Sequence, residues 1–123
     1  MFATLATLSL SAFNSQAVTA APVQFSLTVT RSDVSVSSAT HNKEDYEAAV
    51  INVFNGLGNG RSVYLRMRSA VDGSAASNMV LATQNGRQYL SYLSGYGAPG
   101  RRYYFNASKG GWLNTTIQGQ FES

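Results

Sequence analysis

Arg61-Ser62-Val63-Tyr64-Leu65-Arg66-Met67-Arg68-Ser69 sets two unlike groups of side chains in alternation. Successive side chains of a β-strand point to opposite faces, so Val63, Leu65 and Met67 fall on one side of a pleated ribbon and Ser62, Tyr64, Arg66 and Arg68 on the other. The first face is suited to feed a core. The second offers cations and an aromatic ring to solvent.

The flanks extend this pattern. Upstream, Asn55-Gly56-Leu57-Gly58-Asn59-Gly60 is a turn of residues that tolerate positive φ, and it predicts a hairpin into the two-faced strand. Downstream, Val71-Asp72-Gly73-Ser74 makes the next turn and residues 77–83 the next strand. Asn85-Gly86 is the strongest short hairpin signal of the chain, and it predicts that residues 87–93 pair back. In that returning segment Tyr89, Ser91 and Leu93 oppose Leu90 and Tyr92. Residues 95–100 read as a loop, 101–107 as a strand, Lys109-Gly110-Gly111 as a turn and 112–121 as the last strand.

Nearer the start, residues 24–31 alternate Phe25, Leu27 and Val29 with Ser26, Thr28 and Thr30, and residues 33–37 repeat the alternation more briefly. Residues 39–44 read as a polar loop. Residues 47–54 carry apolar side chains on both faces, which suits a central strand covered on each side, and residues 43–49 admit a short helical reading. Seven to eight strands at regular spacing predict an all-β fold, a single antiparallel β-sandwich or jelly-roll-like domain. Its expected core includes Phe25, Leu27, Val29, Val53, Val63, Leu65, Met67, Ile117 and Phe121.

A chain of 123 residues suits one domain. Cysteine is absent, which excludes disulfides, a thiolate nucleophile and a thiolate metal site, so burial and hydrogen bonding must hold the fold. Only 12% of residues are charged while Ser, Thr, Asn, Gln and Gly abound, a mix typical of secreted all-β proteins. The net charge of +3 is unevenly spread: Glu44, Asp45 and Glu47 form an acidic knot, whereas Arg61, Arg66, Arg68, Arg87, Arg101, Arg102 and Lys109 meet only Asp72 between them. Such asymmetry either favours an anionic partner or keeps a solvated face soluble.

Residues 2–13 are apolar, diluted by Thr and Ser, and are followed by a polar step and Ala17-Val18-Thr19-Ala20-Ala21-Pro22. This is the order of a secretory signal, with Val18 and Ala20 as the small residues before a cleavage after Ala20, and the run is far short of the ~20 residues of a spanning helix. No Lys or Arg precedes it, the first charge being Arg31. If retained, residues 1–20 are an apolar arm able to add a strand to a neighbouring copy. Residues 21–123 are the domain.

Several groups invite a chemical reading. Gly95-Tyr96-Gly97-Ala98-Pro99-Gly100 spells G-x-G-x-x-G, but strand-like Arg-Arg-Tyr-Tyr-Phe follows and no βαβ unit exists, so a flexible loop is expected in place of a nucleotide cradle. His41, the lone histidine, stands near Glu44 and Asp45, yet a metal site needs more ligands and a hydrolytic triad a framed nucleophile. The three carboxylates lack the spacing of a calcium loop. Asn106-Ala107-Ser108 and Asn114-Thr115-Thr116 are formal glycosylation acceptors, meaningful only in a eukaryotic secretory route.

The best binding candidates are Tyr64 with Arg66 and Arg68, and Arg101 and Arg102 with Tyr103 and Tyr104. Aromatics beside arginines can stack on sugar rings or bases while the guanidinium pairs with phosphate or carboxylate, each exposed ring–cation contact contributing roughly 0.5–1 kcal/mol. Cross-strand Arg–Tyr pairing that only stabilises a solvated face explains them equally.

Residues 86–123 carry Tyr-Leu strands, the Gly-rich loop, Arg-Arg-Tyr-Tyr-Phe-Asn-Ala-Ser and a closing Ile-Gln-Gly-Gln-Phe-Glu-Ser. This run, about a third of the chain, resembles small secreted β-sandwich proteins of Gram-positive bacteria, among them the lactococcin 972-like bacteriocins and related families of unassigned function. Phe121 stands where those proteins have a tryptophan near the end, and the histidine-rich stretch of that bacteriocin is missing. The resemblance implies secretion and a non-enzymatic role.

The expectation is therefore a small secreted binding protein, not an enzyme and without a cofactor or metal. It would contact an anionic cell-surface component, cell wall or membrane headgroups in preference to nucleic acid, through Tyr64, Arg66, Arg68, Arg101, Arg102 and Tyr103. The alternative is a self-assembling extracellular subunit, a homo-oligomer built through the apolar arm.

Overall fold

A computed structural model describes residues 21–30 and 35–123 of the chain. The expectations for residues 1–20, and for the first two residues of the 33–37 strand, lie outside the described residues.

Nine strands and no helix make up the described residues. They are β1 Val23–Val29, β2 Val36–Ser37, β3 His41–Asn42, β4 Ala49–Asn55, β5 Val63–Ser69, β6 Val80–Ala82, β7 Gly86–Leu90, β8 Arg102–Lys109 and β9 Thr115–Glu122. One antiparallel sheet runs β1-β9-β4-β7 and the other β2-β8-β5-β6, with β3 also on β8. The two sheets are open at their edges and face each other as a β-sandwich.

The alternation in β5 works as read: Val63, Leu65 and Met67 are fully buried, and Tyr64 stays open. All of the expected core is buried except Leu27, which is half-buried. Phe105 from β8 is the centre of the core, meeting Phe25 of β1 at 4.9 Å and Phe121 of β9 at 5.0 Å, both edge to face.

Two expected hairpins are corrected. β4 and β5 lie in different sheets, so the 55–60 turn crosses the sandwich; β6 and β7 likewise pair with β5 and β4 and not with each other. Only the ends of that segment approach, through Ser77 opposite Tyr92. The physical reason is burial: consecutive strands with an apolar face can cover one another only across the core, whereas a hairpin would leave both in one sheet. Asn85 is used accordingly, its Oδ1 accepting the Leu57 N–H at 2.9 Å and tying the two crossings together. Gly56 turns the chain at φ +111°, where a Cβ would lie 1.9 Å from the Thr116 carbonyl oxygen, so no other residue fits.

Two further readings change. β4 is central, between β9 and β7, but it is covered on one face only, with Val50 half-buried and Phe54 exposed. The polar loop 39–44 contains β3, and His41 and Lys43 within it are buried.

The registers define two ends. Asn55, Val63, Ala82, Gly86, Lys109 and Thr115 mark the end where the chain crosses between sheets at 56–62 and 110–114; Ala49, Ser69, Leu90, Arg102 and Glu122 mark the other. Glu44, Asp45, Glu47, Asp72 and Glu122 all fall at the second, acidic end.

Candidate functional site

β5 lies between β8 and β6, which fixes what its outward side chains meet. Tyr64 is opposite Ser108 and Leu81, Arg66 opposite Asn106, and Arg68 opposite Tyr104. Asn106 is in turn opposite Ser37 of β2. Because the side-chain period is two, Arg102 shares this face and Arg101 does not. Tyr103 points inward: it is 1% exposed, packs at a tilt against the Tyr92 ring with centroids 4.9 Å apart and accepts the Gly97 N–H on its hydroxyl at 2.9 Å. Of the six expected site residues, four share one face. Arg101 precedes β8, and Tyr103 belongs to the core.

The face is not flat. Ser35, Tyr64, Arg66, Arg68, Met79, Asn106 and Ser108 line a groove of about 210 Å³. Arg68 is held in it, donating through Nε to Asn106 Oδ1 and through Nη1 to the Gly73 carbonyl at 3.0 Å. Asn106 is itself fixed, its Nδ2 donating to Ser37 Oγ at 3.0 Å. Arg102 donates from Nη2 to Thr40 Oγ1 at 2.6 Å. Arg66 differs from both. It is half-buried, and its Nε is sealed from water with no hydrogen-bond partner among the described residues. Among the described residues no carboxylate lines the groove. A guanidinium keeps its charge at any physiological pH, so partial desolvation without a counter-charge leaves it attractive to an anion.

Two other hollows are larger but carry the wrong chemistry for an anion. One of about 280 Å³ is lined by Asp45, Glu47 and Glu122 against Arg87, and one of about 320 Å³ by Tyr46, Tyr92 and Tyr96 with no charged side chain.

The remaining candidates are structural. His41 is 4% exposed; its Nδ1 accepts the Ser123 N–H at 3.0 Å and lies 2.7 Å from Ser123 Oγ, so the ring closes the core beside the last strand. Among the described residues no group of three or more His, Asp or Glu could hold a metal. The G-x-G-x-x-G loop is tethered, with the Gly100 N–H donating to the Lys43 carbonyl at 3.0 Å. Gly97 has φ +92°, and a Cβ there would meet the Tyr92 ring at 2.8 Å. The glycine pattern thus answers close packing on an aromatic.

No local pattern of residues marks the Lys43 site. Lys43 is fully buried, its Nζ donating to the Glu47 carbonyl at 2.6 Å, pairing with Asp45 at 3.5 Å and lying 4.8 Å over the Tyr92 ring. Of the acidic knot, the Asp45 carboxylate and the Glu47 backbone fold back over this buried cation. Tyr92 has its hydroxyl buried and outside hydrogen-bond geometry; burial, then Tyr103 and Asp45, push its pKa well up, with Ser123 pulling weakly the other way.

No known protein family, curated protein or solved structure matches this chain. The groove is therefore read from its own chemistry.

Proposed function

We propose that the chain is a small exported, non-catalytic binding module that takes an anionic cell-surface component in the groove between β2, β8, β5 and β6. The observation that carries this reading is Arg66: a half-buried cation lining a groove that has no carboxylate among the described residues, with an Nε that finds no hydrogen-bond partner among them. Arg68 and Arg102 are already oriented by neutral partners and keep further N–H donors for phosphate or carboxylate. Tyr64 supplies a ring in the same groove as Arg66 and Arg68 for a sugar or glycerol unit. Pure cross-strand stabilisation would instead pair each arginine. Export, and a bacteriocin-like role at the surface of another cell, rest on the segment 1–20 and on the resemblance of residues 86–123.

A pull-down on purified cell wall, anionic vesicles and duplex DNA at two salt concentrations tests this. Wild type is retained by wall or vesicles, more weakly at higher salt, since exposed charges are screened over about 10 Å at 0.1 M. The Arg66→Ala/Arg68→Ala variant loses retention on the cell-wall polymer; unchanged retention there removes this face. Intact-mass measurement on protein exported by the native host tests cleavage after Ala20.

One observation favours a second reading. The edge strands β1 and β7 are unpaired on one side, and β1 begins soon after the apolar segment 1–20, so strand addition between copies would give a self-assembling subunit. Fibres in micrographs, with residues 1–20 retained, select it.

A further inference from the structure

We infer that the end of the sandwich opposite the carboxylates is an interfacial anchor, which seats Trp112 and Leu113 among the headgroups of an anionic lipid bilayer. Trp112, the only tryptophan of the chain, is 82% exposed, with Leu113, Phe54 and Leu81 also open at this end. A large apolar ring left in water is costly unless something covers it, and indole, apolar in body with one N–H, suits the headgroup layer.

The loop that carries it is held in place. The Gly110 N–H donates to the Ser62 carbonyl at 3.1 Å, and Thr115 Oγ1 donates to the Leu113 carbonyl at 3.1 Å. Gly111 lies so close to the Gly60 carbonyl that a Cβ would approach it to 3.2 Å. The two crossings between sheets therefore brace one another and present Trp112 outward.

Charge selects the occupant. Arg61 and Lys109 belong to this end, and among its described residues there is no carboxylate. The acidic end also exposes Tyr46 and Val71, but there Glu44, Asp45, Glu47, Asp72 and Glu122 outnumber the exposed Arg101 and Arg102, so the end does not attract an anionic surface. Among the described residues, apolar exposure and positive charge without a carboxylate coincide at this end only, the combination that binds an anionic bilayer. Leu81 lies opposite Tyr64, so the anchor adjoins the near end of the groove without depending on it.

The lone tryptophan makes the test direct. Emission of the full chain is followed with vesicles of phosphatidylcholine plus phosphatidylglycerol and with phosphatidylcholine alone. A blue shift and quenching by brominated lipid are expected with the anionic vesicles only. In co-sedimentation, Trp112→Ser should lose about tenfold or more in vesicle partitioning, from the apolar surface no longer withdrawn from water, while its melting temperature stays that of wild type. Arg66→Gln/Arg68→Gln should retain the blue shift, which separates this inference from the groove. Unchanged emission at saturating anionic lipid overturns the anchor. So does a blue shift that appears on concentrating the protein without lipid, which would make a second copy the occupant.

Discussion

Arg66 stands directly opposite Asn106 in the β5–β8 register, yet Asn106 Oδ1 accepts from the Nε–H of Arg68, two residues further along β5. One strand face thus holds a guanidinium oriented by a neutral amide and another whose Nε has no partner. Placing a carboxylate at position 106 should neutralise both. Asn106→Asp is therefore expected to leave stability unchanged or raise it by up to about 1 kcal/mol, while retention on an anionic polymer falls about tenfold or more. Thermal melts and retention assays on the same variant check whether the two move apart.

The two faces of β5 should answer mutation differently. Leu65→Ala removes a fully buried side chain and is expected to cost about 2–5 kcal/mol with its cavity. Arg66→Gln, one residue along, should stay within about 0.5 kcal/mol. Denaturant midpoints measure both.

Lys43 secures the β3–β4 connection from below. Lys43→Ala leaves the Glu47 carbonyl without its donor and the Tyr92 ring without its cation, and should cost about 1–3 kcal/mol. Hydrogen exchange should quicken in residues 44–48 before it does in β5.

Tyr92 predicts an alkaline limit. Its pKa in the folded chain is raised above the ordinary 10.0 by burial first, so its contribution is complete below about pH 10 and is lost as pH climbs towards the folded value. Unfolding free energy should fall on that side by at most about 1.4 kcal/mol per pH unit from this group. Tyr92→Phe, which removes a hydroxyl without a hydrogen bond, should be near neutral at pH 7 and show a shallower alkaline limb.

Strand positions and the inward residues of β1, β5 and β9 were legible because alternation is a local signal. Connectivity was not. Asn85-Gly86 reads as a hairpin from its neighbours, and only the partners of β6 and β7 across the core make it a crossing. The outward set of β5 was legible for the same local reason, whereas Tyr103 was misplaced by one step: next to Arg102 in sequence, it is on the opposite face of β8. The burial of Lys43 had no local signal at all, since an ammonium enters a core only when a carbonyl, a carboxylate and a ring converge on it from residues 45, 47 and 92.

The central claim is that Arg66 is the anion-seeking group of the groove. Side-chain Nε–H resonances of the arginines, followed by NMR during titration with short poly(glycerol phosphate), test it most directly. The account predicts that Arg66 shifts first and saturates, that Arg68, already bound to Asn106, follows with a smaller change, and that Arg61, Arg87 and Arg101 drift weakly and without saturation. Equal, unsaturating shifts of all the arginines would contradict it.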